Sequence, residues 1–189
     1  MGKDLQRLAL ALGILVIIGV IAFFFLRGGW ESPTEVRLPS GEVGLPYGAG
    51  SSAPREAPEG FTEYRSTRYN FSLFHPADLA VQEFDEGGGA QTIAFESEEG
   101  VGFQIFIVPY TQSQITEERF RKDAPSGVMR EPVEVLIDGA RATLFFSEHA
   151  LLGETREVWF IKNSFLFEVT TYKALDEWLA EIMATWKFL

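Results

Sequence analysis

The chain of 189 residues contains no cysteine. Disulfides, cysteine-ligated zinc and thiol nucleophiles are excluded, as is a lipid anchor on a cysteine behind an N-terminal apolar segment. Histidine is scarce, with only His75 and His149, and they form neither a His-x-x-x-His nor a His-Glu-x-x-His zinc pattern. No Gly-x-Ser-x-Gly elbow is present. Gly87-Gly88-Gly89 is followed by no Gly-Lys-Ser/Thr and opens no helix, so it reads as a hairpin tip rather than a phosphate loop. Positive charge is also short: 16 Lys and Arg stand against 27 Asp and Glu, a net charge of -11. From Phe61 onward there are 21 acids and 11 bases, which puts about -10 of that charge on the C-terminal part. Such a surface repels phosphate backbones, so nucleic acid is excluded as a partner.

The opposite extreme lies at the N-terminus. Leu8 to Leu26 reads LALALGILVIIGVIAFFFL, 19 residues without a charge, of which 14 are Leu, Ile, Val or Phe. At 1.5 Å per residue a helix of this length spans about 28 Å, close to the roughly 30 Å hydrocarbon core of a bilayer. At roughly -0.3 to -0.6 kcal/mol for each large apolar residue, insertion is favoured by several kcal/mol. A secretory signal has a shorter apolar stretch followed by small residues. This one ends Phe23-Phe24-Phe25-Leu26-Arg27, so the expectation is an uncleaved anchor contacting the lipid bilayer through Leu8 to Leu26. Lys3 and Arg7 precede it and Arg27 and Arg37 follow. The short tail favours a single-pass plasma-membrane protein with its C-terminal domain outside the cytoplasm. Ala9 and Gly13 form one small-xxx-small pair, a pattern that supports helix dimerisation but is common by chance.

The expected organisation is a short tail (1–7), a transmembrane anchor (8–27), a linker (28–60) and a globular domain (61–189). In the linker, 16 of 33 residues are Gly, Pro or Ser. So little apolar surface cannot offset chain entropy, and a flexible chain of this length reaches about 30 Å.

From Phe61 the pattern alternates as in strands. Phe61–Arg65, Phe71–Phe74, Leu79–Phe84, Gln91–Glu96 and Gly102–Val108 are expected strands, and Pro76 ends the second of them. Thr116 is placed to cap a short helix that ends before Pro125, with acids in its first turn. Val133–Ile137 and Ala142–Phe146 flank Asp138-Gly139, a strong two-residue turn signal. Glu154–Ile161 and Phe165–Thr171 form a further hairpin turned at Lys162-Asn163-Ser164. Leu175, Trp178, Leu179, Ile182, Met183 and Trp186 recur at helical spacing as a core-facing stripe, and Lys187-Phe188-Leu189 is an expected edge strand. The fold class is therefore α+β, an antiparallel sheet of about seven or eight strands with two packed helices.

Tyr69-Asn70-Phe71-Ser72-Leu73-Phe74-His75-Pro76 resembles the Tyr-Gly-Phe-Ser-Phe-x-Tyr-Pro opening of PsbP-like domains, named after an extrinsic subunit of photosystem II. Asn70 stands where Gly is usual, His75 where Tyr is usual, and Leu79 where a Trp often follows. The Ile137-Asp138-Gly139 turn and the closing order of two strands, amphipathic helix and short strand are similar as well. The resemblance covers Phe61 to Leu189 and implies an α/β/α sandwich with a non-enzymatic binding or assembly role. It supplies no catalytic residue and no cofactor.

No catalytic, cofactor-binding or metal-ligating residue is assigned, and no cofactor is expected. His75 reads as a turn or capping residue before Pro76, and His149 as an exposed loop residue. Asp85-Glu86, and Glu96 with Glu98-Glu99, are acidic clusters flanking one hairpin. They read as solvated turn acids, with Ca²⁺ binding the sharper alternative. The leading functional expectation is a membrane-tethered extracytoplasmic binding or assembly module with an unknown protein partner. A surface-anchored hydrolase is the alternative, and a cytoplasm-facing scaffold follows if the orientation is reversed.

Overall fold

The computed structural model describes residues 55–189. The expected tail 1–7, the anchor 8–27 and residues 28–54 of the expected linker lie outside the described residues. Among the described residues no helix is long and apolar enough to cross a membrane.

In chain order the elements are β1 (Phe61–Ser66), β2 (Phe71–Pro76), β3 (Ala80–Gly87), β4 (Ala90–Glu96), β5 (Gly102–Pro109) and α1 (Glu117–Asp123). There follow β6 (Arg130–Ile137), β7 (Ala140–His149), β8 (Gly153–Lys162), β9 (Phe165–Tyr172), α2 (Asp176–Ala184) and β10 (Lys187–Phe188). A single 3-10 turn, Lys173–Leu175, leads into α2.

The expected count of seven or eight strands is too low, and the strands do not form one sheet. β1, β2 and β10 make a three-stranded sheet, while the other seven run in the order β3-β4-β5-β9-β8-β7-β6. Periodicity marks strands but carries no information about which sheet each one joins, so β1 and β2 could not be separated from the rest. Every pairing is antiparallel. Turn chemistry sets the register. Asp138 (φ 44°) and Gly139 (φ 81°) both adopt the left-handed conformation that a two-residue hairpin turn requires. The β8–β9 turn is made the same way by Asn163 (φ 51°) and Ser164 (φ 63°) without a glycine, which narrows the expected three-residue turn to two.

The large sheet is covered on both faces. Ile93, Phe95, Phe103, Ile105, Ile107, Phe160, Phe167 and Val169 point to one face and meet Phe71 and Leu73 of β2 and Leu179, Ile182 and Met183 of α2. Phe71 stacks on Trp186 at 4.3 Å, and Phe160 on Phe167 at 5.0 Å. Truncating one such buried ring to Ala costs about 3–5 kcal/mol. Trp186 is 1% exposed, and its indole N–H finds no acceptor among the described residues. The second face carries Phe145 and Trp159, capped by Phe120 and Ala124 of and just after α1.

The helices end as their sequences dictate. The Thr116 hydroxyl accepts the Arg119 amide at 3.1 Å, the expected N-cap. Thr185 closes α2 and ties it to β2: its hydroxyl donates to the Ile182 carbonyl and accepts the Phe74 amide at 2.8 Å. The Thr185 carbonyl in turn accepts from Arg55, whose guanidinium bonds Glu63 and Ser72 and lies 4.2 Å over the Phe74 ring. Contact with the domain thus reaches back to Arg55.

Candidate functional site

The residues that sequence reasoning singled out are dispersed by the fold. His75 lies within β2, 4% exposed, with its ring edge-on to Phe95 at 5.0 Å. It is a buried strand residue rather than a turn residue, because β2 continues to Pro76 beneath the large sheet. Its Nδ1 donates to the Pro76 carbonyl at 2.9 Å, and burial pushes its pKa down. His149 ends β7 and is half-buried, not fully exposed. Its Nδ1 accepts the amides of Leu151 and Leu152, each at 3.3 Å. The two rings therefore carry opposite tautomers. Burial lowers the pKa of His149 as well.

The two acidic clusters stand at opposite ends of the β3–β4 hairpin. Asp85 pairs with Gln91 near the glycine tip, whereas Glu96 pairs with Ala80 at the other end. Five strand residues separate them by about 17 Å, too far to ligate one ion. Asp85 accepts the Gly87 amide, and Glu86 accepts the Thr92 hydroxyl at 2.7 Å. Among the described residues no group of three or more acids and histidines is arranged to hold a metal.

A site that sequence reasoning missed lies beneath α1. Register places Glu168 of β9 opposite both Phe106 of β5 and Trp159 of β8, and Glu157 opposite Phe145 of β7 and Thr170 of β9. Both glutamates are buried on the α1 side of the sheet, at 7% and 5% exposure for Glu157 and Glu168. Glu157 is well supplied with donors. Thr155 donates to Oε1 at 2.7 Å, and Thr170 and the Trp159 indole donate to Oε2 at 2.7 and 3.2 Å. Burial nevertheless outweighs these bonds and pushes its pKa up. Glu168 has no such supply. Its Oε1 lies 3.6 Å from Arg119 Nη2 and makes no hydrogen bond. Arg119 itself is ion-paired through Nε to Asp123, one turn along α1. Burial, together with the neighbouring Asp123 carboxylate, holds the Glu168 carboxyl well above the usual carboxylate range. The network can hold and share a proton. The signal in the sequence was a carboxylate set against an apolar run in each of two strands, Glu157 before VWF and Glu168 within FLFEV.

No protein-family model matches the sequence, and no curated protein matches it. Among solved structures, the chain is similar to cyanobacterial PsbP (CyanoP) from Synechocystis sp. PCC 6803, determined in solution. The likeness has a TM-score of 0.50 at 13% identity and covers 75% of this chain and all of that one. The domain has a PsbP-like fold. Identity this low speaks for the fold alone, and a fold does not carry a function.

One surface of the PsbP-like domain stands apart. Of the eight large hydrophobic residues exposed among the described residues, Val101, Met129, Leu151 and Tyr172 share one end of the large sheet. Val101 lies in the β4–β5 turn, Tyr172 ends β9, Leu151 lies in the β7–β8 turn and Met129 precedes β6. Strand order sets them in a row about 20 Å long. Around them stand six carboxylates (Glu98, Glu99, Glu148, Glu154, Asp176, Glu177) and three cations. Arg130 and Lys173 both bond Glu154, and Arg156 bonds Asp176 at 2.5 and 2.6 Å.

Proposed function

We propose that the chain is a binding or assembly module, tethered to a membrane by Leu8 to Leu26, with its PsbP-like domain outside the cytoplasm. The observation that carries the binding reading is the row of exposed apolar side chains at one end of the sheet. Single exposed hydrophobics are ordinary, but four aligned at one edge and rimmed by charge are the composition of a contact surface. Its occupant is a protein. The acidic rim repels nucleic acid and anionic lipid, and it complements apolar side chains ringed by Lys or Arg. The PsbP-like fold is compatible with a non-catalytic role. The 19-residue apolar run supports the tether, and its short tail supports the orientation.

The test is photo-crosslinking from position 151 of the full-length chain in intact membranes. It compares the wild type with Met129→Glu/Leu151→Glu and with a control, Leu136→Glu, at the opposite end of the sheet. In the double variant the crosslinker is carried at position 101. A discrete adduct that survives Leu136→Glu and disappears in the double variant supports the reading, and an adduct unchanged in both sinks it. Protease added to sealed cells tests the orientation: digestion of the domain is expected, and protection overturns the extracytoplasmic assignment.

A further inference from the structure

Helix α1 has seven residues and no buried residue of its own. Two turns of helix are not stable in water, so α1 persists only through what it touches on the sheet. Those contacts are few. Phe120 packs on Phe145 at 5.8 Å and on Trp159 at 5.6 Å between ring centres, and Ala124, just past the helix, is buried against the same pair. Arg119 and Asp123 reach down to Glu168.

The charges beneath α1 do not balance if every acid is ionised. The titratable and charged groups facing Glu168 are Arg119 and Asp123 from α1 and Glu157 from β8. β5 contributes only the Phe106 ring at this place. Three carboxyls thus share one guanidinium. Asp123 holds that cation through Nε, and Glu157 is satisfied by two hydroxyls and an indole. Glu168 Oε1, like Asp123 Oδ2, is buried and makes no hydrogen bond. Ionised, Glu168 would be a buried charge whose Oε1 makes no hydrogen bond, with the Arg119 guanidinium at 3.6 Å already paired to a second carboxylate, a costly arrangement. Neutral, it becomes a donor beside the Asp123 carboxylate, so that one proton can join β9 to α1.

We propose that α1 is a proton-dependent latch, closed over β8 and β9 while Glu168 carries a proton and released when that proton is lost. Release uncovers Phe145 and Trp159, an aromatic surface absent from the closed form. The raised pKa of Glu168 agrees in direction: the folded state holds this proton more tightly than the unfolded chain, so alkalinity works against the closed form. The latch is independent of the contact surface at the sheet end, since none of its residues belongs to that surface.

The experiment is amide hydrogen exchange of the full-length chain in detergent micelles, corrected for the intrinsic pH dependence of exchange. The peptide covering 115–126 is compared with peptides from β8 and β9. Between about pH 6 and pH 9 its protection is expected to fall by roughly tenfold or more while the strands stay protected. Glu168→Gln, which cannot ionise, is expected to abolish that dependence. Protection independent of pH in the wild type, or a dependence that survives Glu168→Gln, overturns the latch. Should Glu168→Gln not fold, the carbon-13 carboxyl resonance of Glu168 in the wild type decides. A titration that tracks the loss of α1 protection supports the proposal, and protection lost without that titration refutes it.

Discussion

Asp138 sits in the left-handed conformation at the β6–β7 turn, and from that position its Oδ2 accepts the Phe188 amide at 2.8 Å. Its Oδ1 takes the Lys187 ammonium at 2.8 Å. One turn residue therefore fixes the hairpin and pins β10, the last strand of the small sheet, to the large one. The Lys187 and Phe188 bonds also hold its carboxyl below the usual range. Asp138→Ala is expected to destabilise the domain by about 2 kcal/mol, through two lost bonds to a charged group and a Cβ residue less suited to positive φ. Asp138→Asn keeps an acceptor and tolerates the turn, so about half that loss is expected. Urea unfolding of the full-length chain in micelles at neutral pH measures both. Because the folded pKa is depressed, this contribution is complete above the ordinary Asp range and disappears as pH falls through the folded value.

The hairpin of Asp138 was legible because Asp-Gly between alternating runs has a single physical meaning. So were the cap of α1 by Thr116 and the inward stripe of α2, of which Leu179, Ile182 and Met183 are buried. What could not be read depends on register or on sheet membership. Pro76 pulled the reading of His75 toward a turn, yet the strand holds through Pro76 and buries the imidazole. Glu157 and Glu168 are eleven residues apart and look like ordinary strand acids. Only the β8–β9 register sets them on one face, and only α1 covers that face. The sheet-end surface had no signature either, since its four apolar residues come from four separate segments.

Glu157 gives a direct measure of how much its three donors matter. Glu157→Ala removes the acceptor of the buried Thr155 hydroxyl and Trp159 indole and of the half-buried Thr170 hydroxyl, an expected loss of about 3 kcal/mol. Glu157→Gln preserves the shape but turns an N–H₂ toward groups that were donating, so the hydroxyls must reorient, at about 1–2 kcal/mol. Denaturant midpoints check the order Ala, then Gln, then wild type. Trp159 emission should shift in both variants, because the indole N–H loses a carboxylate partner. Equal stability of all three proteins would show that the network contributes nothing.

The histidines make stability depend on pH in the mildly acidic range. Both are depressed by burial, so the unfolded chain takes up protons first as pH falls. Stability is complete above the unfolded histidine value of about 6.5 and declines below it, by at most about 1.4 kcal/mol per pH unit for each ring. Protonation of His149 also removes the acceptor of two amides in the β7–β8 turn. His149→Gln is expected to flatten part of this decline, and urea midpoints between about pH 7 and pH 5 report it. Glu157 and Glu168 act in the opposite sense: their raised folded values favour the folded state on the acid side, and that advantage is lost as pH rises through them.

Gly102 supplies the sharpest steric prediction. It opens β5 opposite Glu96, and the backbone there is not in the left-handed region, so its conformation alone does not require glycine. The neighbouring strand does. A Cβ at this position would lie 1.8 Å from the Phe95 carbonyl oxygen and 2.9 Å from its carbon. Both are backbone atoms of β4, which cannot rotate aside as a side chain can. The Gly102 carbonyl also accepts the Thr171 hydroxyl at 2.7 Å, so moving β5 away to make room would strain its bond to β9. Gly102→Ala is therefore expected to cost about 3 kcal/mol, at the upper end for an overpacked site. Gly139→Ala, with nothing within 4 Å but φ at 81°, is expected to cost only about 1–2 kcal/mol from backbone strain. Thermal unfolding of the two variants side by side separates close backbone approach from conformational freedom. A Gly102→Ala protein as stable as Gly139→Ala would mean that β4 and β5 can part at this end.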